Sequence, residues 1–438
     1  MKWSLYHKSD GKAYMVFSQT LRVMFVGFFR NVHIDRLTKI PEDKPVLIAA
    51  NHPTAFLDPV LMGVYFRPPV YYMTRGDVFK KPFFRKLLES VNMFPVYRTR
   101  DGYTGRDRND QVFDYCRKQL VDRKIVTIFV EGEHHLDKHV RPTQKGIARI
   151  AFQTYEQEQL EELQVLPIGF SYRYGDRERE VAMVNIGEPI YIRDYWEQYQ
   201  ESPAAAVRTL CLDIHEKLKV LCCHVENPDY CPVAEDMLTL HRNNLVERLV
   251  PVVHFNKKAF DGEKAICDQI NVLDDQVPAL GKKVEAYFAR LQKLEVDDRG
   301  LMHPEYSSFL RLFVLILAFP FYALGGITSW PVRYLSKYLT RKKVKKVEFY
   351  SSVLMGIGQF IGLVYYGLLF LIALISFNPV WIGIALLLPL LAWVYALYKS
   401  FAQAWALSWK AKRHPERKQL LTEREAIWNA FQNNYDIL

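Results

Sequence analysis

Val46-Leu-Ile-Ala-Ala-Asn-His-Pro-Thr-Ala-Phe-Leu-Asp-Pro59 is a strand-length apolar run that breaks at Asn51-His52-Pro53 and then reaches a carboxylate followed by proline. An apolar run of this length, closed by Asn and Pro, reads as a buried strand. Asp58-Pro59 reads as a helix N-cap with proline at the first helical position. His52 then leaves a strand end, Asp58 opens a helix, and an imidazole lies beside a carboxylate. When a carboxylate accepts a hydrogen bond from one ring nitrogen, the other is left to take a proton, which is the arrangement of a general base. A plain capped loop has the same spacing, so the rest of the chain must decide between the two.

Working outward, strand-length apolar runs occur at Pro45 to Ala50, Val70 to Thr74, Phe94 to Tyr97, Ile125 to Val130, Val165 to Tyr172 and Val181 to Ile186. Helical spacing fills several of the gaps. Asp110 is placed to cap a helix with Val112, Phe113, Cys116 and Leu120 on one side, and Gly146 to Tyr155 turns Ile147, Ile150 and Ala151 inward. Such alternation predicts an α/β domain, a mixed, largely parallel sheet flanked by helices, over residues 41–192. Polar residues follow the runs: Asn51-His52, Arg75-Gly76, Arg98-Thr-Arg100 and Glu131-Gly132-Glu133-His134-His135. Ligands of open α/β sheets bind outside the carboxyl ends of the strands, so these residues are expected to share a pocket. A base, a carboxylate, several arginines and a glutamate suit a hydroxyl nucleophile that carries an anionic group.

The 438 residues allow more than one unit, and a net charge of +10 favours anionic partners. Residues 1–40 hold an aromatic-rich amphipathic segment that fits either a membrane interface or the soluble core; its polar interruptions and lack of a cleavage site argue against a secretory signal. Residues 193–304 read as a helical extension without a catalytic motif. From 305 to 400 the composition becomes that of a membrane region. Segments 353–377 and 381–397 are long enough to cross a hydrocarbon core of roughly 30 Å. Segment 309–330 carries Arg311, Pro320 and Gly325-Gly326 and is expected to re-enter and return, because Arg341 to Lys346 and the lysines and arginines of the 401–438 tail should both stay cytoplasmic. The basic loop at Arg341 to Lys346 also suits anionic headgroups. Six scattered cysteines do not make a disulfide framework, and Cys222-Cys223-His224 with Cys231 lacks the paired spacing of a zinc site. Nucleic-acid binding is disfavoured, because no basic stripe interleaved with stacking aromatics stands out.

Four blocks in order resemble the glycerophospholipid acyltransferase family. Asn51-His52 with Asp58 resembles its His-Asp motif in a longer-spaced form, and Phe94-Pro-Val-Tyr-Arg98 resembles its second block, with Arg75 where the family often has a basic residue. Phe129-Val-Glu131-Gly132, continued by Arg141-Pro-Thr-Gln-Lys145-Gly146, resembles the third, and Val165-Leu-Pro167-Ile-Gly169 the fourth. Val130 stands where the family has proline, and Glu133-His134-His135 replaces a turn that usually holds threonine or serine.

The resemblance implies a membrane-bound enzyme with its catalytic domain on the cytoplasmic face. It would move a fatty acyl group from an acyl thioester, acyl-coenzyme A or acyl carrier protein, to a hydroxyl of glycerol 3-phosphate or a lysophospholipid. His52 and Asp58 would be catalytic, with Arg75, Arg98, Arg100, Glu131, Gly132 and Pro167 binding substrate and backbone amides near the Gly132 turn stabilising the oxyanion. No metal or other cofactor is implied, and the partners are membrane lipids, the phosphorylated acceptor and the thioester donor. Two other readings use the same residues: a metal-dependent membrane hydrolase built on Glu131, Glu133, His134, His135, Asp137 and His139, and a lipid-binding membrane protein that kept the fold without the chemistry.

Overall fold

The structure, a computed structural model, describes residues 12–96, 106–246 and 250–432. In order, the first part of the chain forms α1 (Lys12–Phe28), β1 (Asn31–Asp35), β2 (Val46–Ala50), α2 (Leu57–Tyr65), β3 (Val70–Arg75), α3 (Pro82–Ser90), β4 (Met93–Val96) and α4 (Arg106–Val121). There follow β5 (Ile125–Phe129), α5 (Gly146–Glu158), β6 (Gln164–Tyr172), β7 (Val181–Ile186), β8 (Ile190–Tyr191), α6 (Trp196–Glu201) and α7 (Pro203–Leu221). The later elements are α8 (Cys231–Asn243), β9 (Val252–His254), α9 (Lys258–Leu273), α10 (Val277–Leu294), α11 (Asp298–Met302), α12 (Phe309–Lys343), α13 (Tyr350–Ile375), α14 (Pro379–Lys412) and α15 (Arg417–Gln432).

The chain divides into two compact units, the first made of residues 1–136, 140–224 and 252–260. Its sheet runs β4-β3-β5-β2-β6-β7-β1-β9, with β8 pairing β6. Strands β4, β3, β5, β2 and β6 are mutually parallel, and β7 turns the direction by pairing antiparallel with β6. The expected mixed, largely parallel sheet is what forms. β2 is buried at every position because both its faces are covered. Leu47, Ala49, Val126 and Ile128 face a core filled by Cys116 and Leu120 of α4, Ile147 and Ile150 of α5, and Leu210, Ile214 and Leu218 of α7. On the alternate face Thr127 meets Met62 of α2 at 3.9 Å. The compact unit therefore continues past residue 192, because α7 supplies part of the core rather than starting a separate extension. β1 and β9, absent from the apolar-run reading, close the far edge. β1 has a weak apolar signature, because only Val32 and Ile34 of its five residues are buried.

α1 resolves the ambiguity of the amino-terminal segment on its own unit. Tyr14, Ser18, Leu21, Phe25 and Phe28 are buried, and Ser18 donates to the Gly63 carbonyl of α2 at 2.8 Å. Val16 and Phe17 on the other side stay exposed.

Close backbone packing makes one glycine critical. A Cβ on Gly169 in β6 would run into the Leu221 carbonyl at the end of α7, which also accepts from Asn185 Nδ2 at 2.9 Å. Backbone on both sides cannot yield as a side-chain tip can. Gly169→Ala should cost about 3 kcal/mol, the upper end of ordinary overpacking, and thermal unfolding of the purified chain checks it.

A second prediction concerns pH. His33 of β1 stacks on His254 of β9 with centroids 4.5 Å apart, and its Nδ1 lies 3.4 Å from Asn256 Oδ1. Burial, then the neighbouring His254, pushes the His33 imidazole down from 6.5 to about 4. A base with a depressed folded pKa takes up its proton more readily when unfolded, so stability is present above pH 6.5 and is lost as pH falls towards 4. The protection factors of the β9 amides, exchange rates taken relative to the unfolded chain at the same pH, should therefore fall across that window in the wild type, and the fall should be blunted in His33→Gln.

The second unit comprises residues 137–139, 225–251 and 261–438. Its polar interior is paired: Arg242 donates to Glu263 at 2.8 Å, while Arg424 and Tyr287 both donate to Asp298, at 2.8 and 2.6 Å. Three of its helices, Phe309–Lys343, Val347–Ile375 and Pro379–Lys412, are long and apolar enough to cross a membrane. Residues 309–330 do not break into a hairpin, since α12 is one helix with Pro320 and Pro331 inside it. Gly325, read from sequence as a breaker, instead permits close approach of α14, because a Cβ there would meet the Leu391 carbonyl. Trp405 Nε1 donates to the Ser308 carbonyl at 3.3 Å, and Arg417 reaches the Leu301 carbonyl at 3.4 Å. The start of α12 and the end of α14 thus lie side by side.

Candidate active site

The parallel register of β5, β2 and β6 sets Ala50 between Phe129 and Ile168, so the turns after β2 and β5 emerge together at the carboxyl edge. β6 runs on past this level to Tyr172. Asn51 ties the two: its Nδ2 donates to the Phe170 carbonyl at 2.9 Å, and its Oδ1 accepts the Phe170 N–H at 2.7 Å. The side chain thereby extends the ladder by one step and fixes where His52 begins.

His52 Nδ1 donates to Asp58 Oδ2 at 2.7 Å. Asp58 is not the N-cap expected from sequence. The cap is Phe56, and Asp58 lies in the first turn of α2 with its side chain folded back over the preceding loop. Asp58 is completely buried and is surrounded by donors: the Thr54 N–H at 3.0 Å and Thr54 Oγ1 at 2.8 Å join Tyr172 Oη at 2.6 Å. A buried carboxylate needs such donors in place of the water it has lost. Burial, then the Asp58 charge, pushes the Tyr172 phenol well above its ordinary range, so Tyr172 remains a donor. Tyr172 was not legible in the sequence. It stands at the end of a long apolar run, and only the β2–β6 register shows that it overhangs the turn.

Two rings pack against that of His52. Phe129 stacks on it at 3.7 Å and 9°, and His134 meets it edge-on at 4.1 Å and 78°. The unusual turn at 133–135 therefore contributes a second imidazole beside the first. With Nδ1 committed to Asp58, Nε2 is the ring nitrogen through which a proton can be exchanged.

The other residues marked in the sequence are placed differently. Glu131 is buried, and its oxygens accept from the main chain: Oε1 from the Arg141 N–H at 2.9 Å and Oε2 from the His52 N–H at 3.3 Å. Its carboxylate joins the loop after β2 to the segment before α5. Gly132 has φ of 71°, a left-handed turn that suits glycine. Pro167 lies within β6 opposite Ala49, its carbonyl accepting from Gly187 N–H at 2.9 Å, so it belongs to the sheet and not to the turns. Arg75 ends β3. Arg98 and Arg100 lie outside the described residues. The start expected at Asp110 falls inside α4, which begins at Arg106.

The metal alternative is not supported by geometry: among the described residues no three His, Cys, Asp or Glu side chains come together in a way that could hold an ion. His139 Nδ1 donates to the Val225 carbonyl at 2.8 Å. All six cysteines are buried thiols.

Residues 31–171 match the family model described as Acyltransferase, so the first unit carries an acyltransferase-family domain. Outside that domain match, the chain is similar to proteins named as acyltransferases. It is 28% identical over 210 residues to an uncharacterized acyltransferase of Schizosaccharomyces pombe, covering 47% of this chain and 30% of that protein. It is 24% identical over 256 residues to glycerol-3-phosphate O-acyltransferase 2 of Saccharomyces cerevisiae, covering 56% of this chain and 34% of the relative. The chain thus spans about a third of the length of the curated relatives it matches. The crystal structure of the 1-acyl-sn-glycerophosphate acyltransferase PlsC from Thermotoga maritima covers 48% of this chain and 85% of its own, with 16% identity and a TM-score of 0.33.

Proposed function

We propose that the protein transfers a fatty acyl group from an acyl thioester to a hydroxyl of glycerol 3-phosphate or 1-acylglycerol 3-phosphate. The observation that carries this reading is the 2.7 Å contact between His52 Nδ1 and a carboxylate that is fully buried and held by Thr54 and Tyr172. His52 Nε2 takes the acceptor hydroxyl proton as that oxygen attacks the thioester carbonyl. The C–O bond forms, the C–S bond breaks, and the thiolate leaves with the proton returned by the imidazolium. Asp58 holds the ring and stabilises its transient positive charge. Phe129 and His134 limit rotation of the imidazole. Arg75, Arg98 and Arg100 are the cations assigned to the acceptor phosphate, through charge-assisted hydrogen bonds. Main-chain amides of the turn at Gly132 are assigned to the oxyanion. The named activity of the yeast glycerol-3-phosphate O-acyltransferases supports this acceptor class.

Membrane placement follows the same reading, since acyl chain and product both partition into lipid. Because the start of α12 and the end of α14 lie together, the chain between them crosses an even number of times. Two of the three apolar helices then cross completely, and charge bias sets Lys410 to Lys418 on the cytoplasmic side. The reading is tested by offering labelled acyl-coenzyme A and acyl carrier protein with glycerol 3-phosphate, lysophosphatidate and neutral lysolipids to detergent-purified protein. Product mass identifies the acceptor. Esterification of a phosphomonoester acceptor is the expected result, and absence of any ester across the panel would overturn it.

A further inference from the structure

The last third of α12 differs from the apolar stretch that precedes it. Trp330, Tyr334 and Tyr338 follow at helical spacing and stack in succession, with centroids 5.2 and 6.2 Å apart and ring planes within 15° and 9°. All three are exposed. Arg333, Lys337 and Arg341 recur at the same spacing beside them, each pair separated by about 6 Å of helix rise. The six side chains line a groove of about 350 Å³. Basic and aromatic side chains thus interleave in one stripe, which helical spacing scatters along the sequence.

Arg333 is fixed within the groove. Its Nε donates to Ser329 Oγ at 3.0 Å, its guanidinium donates to the Gly326 carbonyl at 2.9 Å, and it lies 3.7 Å from the Tyr395 ring centroid. An immobilised cation on a membrane-type helix is costly unless an anion or polar surface compensates it. The stripe also continues directly from a surface of exposed Phe313, Ile316, Leu317 and Ile327. Trp and Tyr settle at the boundary between headgroups and acyl chains, the depth at which lipid phosphates lie.

We propose that this groove binds the phosphodiester headgroup of an anionic phospholipid. Lys337 and Arg341 pair with the phosphate, Arg333 sets the field at the base of the groove, and the aromatic ladder seats the glycerol and upper acyl chain. A free phosphate ion would use the cations but gain nothing from the ladder. A nucleic acid would have to reach a stripe continuous with bilayer-facing residues. The site takes no part in the acyl-transfer step and stands whether or not that reading holds.

The test uses the full chain reconstituted in vesicles of equal parts phosphatidylcholine and phosphatidylglycerol, then extracted in detergent and weighed by native mass spectrometry. Wild type should retain phosphatidylglycerol over phosphatidylcholine. The double substitution Lys337→Gln and Arg341→Gln should reduce that retention about thirtyfold, as expected for loss of two interfacial charges. Thermal unfolding confirms that the variant is folded, and Lys337→Glu alone provides a second, independent loss. Substituting Lys342, Lys343, Lys345 and Lys346 by Gln should leave the retained lipid in place. Equal retention of both lipids, retention unchanged in the groove variants, loss only in the loop variant, or displacement by inorganic phosphate or an oligonucleotide would each overturn the proposal.

Discussion

His52→Ala should lower acyl transfer by roughly 10² to 10⁴-fold while leaving the protein folded. The size follows from what the imidazole supplies. An alcohol is a poor nucleophile at neutral pH, and without a base the hydroxyl must attack while still protonated. The fold should survive because the two anchors of the turn do not use the imidazole: Asn51 binds Phe170 through its own amide, and Glu131 accepts the main-chain N–H of His52. Loss of the ring leaves a gap beside Phe129 and His134, a packing cost that thermal unfolding of the variant reads directly. Retained activity with a normal unfolding midpoint would remove His52 from the chemistry.

Asp58 gives the second large effect, and two substitutions separate its roles. Asp58→Asn keeps the volume but offers one acceptor oxygen where the carboxylate meets His52 Nδ1, the Thr54 N–H and Oγ1, and Tyr172 Oη. The imidazole loses the charge that orients it and stabilises its protonated form, so the expected loss in kcat is about a thousandfold. Asp58→Ala also leaves buried donors without an acceptor and should destabilise the first unit by about 3 kcal/mol or more. Equal loss of stability in both variants, with activity following stability alone, would make Asp58 a structural carboxylate and nothing further.

These residues also show what the sequence could and could not convey. The run Val46 to Ala50 was readable because a strand covered on both faces must be apolar throughout, and the same held for β5, β6 and β7. β1 and β9 carried too few inward side chains to stand out. The pairing of His52 with Asp58 was legible from spacing, but its cause was not. Asp58 was read as a helix cap, whereas it folds back onto Thr54, a choice decided by Tyr172 arriving from across the sheet. The resemblance implies that Glu131 binds substrate; its oxygens accept amides from two separate loops, a tie with no local signature in the sequence. Local pattern marks which residues reach the carboxyl edge. Which of them face one another depends on register, a long-range property with no local signature. Gly325 illustrates the same limit in α12, where a residue that breaks isolated helices serves close packing against α14.

The most direct test of the account follows both products of one reaction. Detergent-purified protein is mixed with a labelled acyl thioester and a phosphorylated glycerol acceptor, and released thiol and newly formed ester are counted together over time. One ester per thiol is expected for the wild type, with both falling together in His52→Ala. Thiol release without ester, or ester formation that persists in His52→Ala, would contradict it.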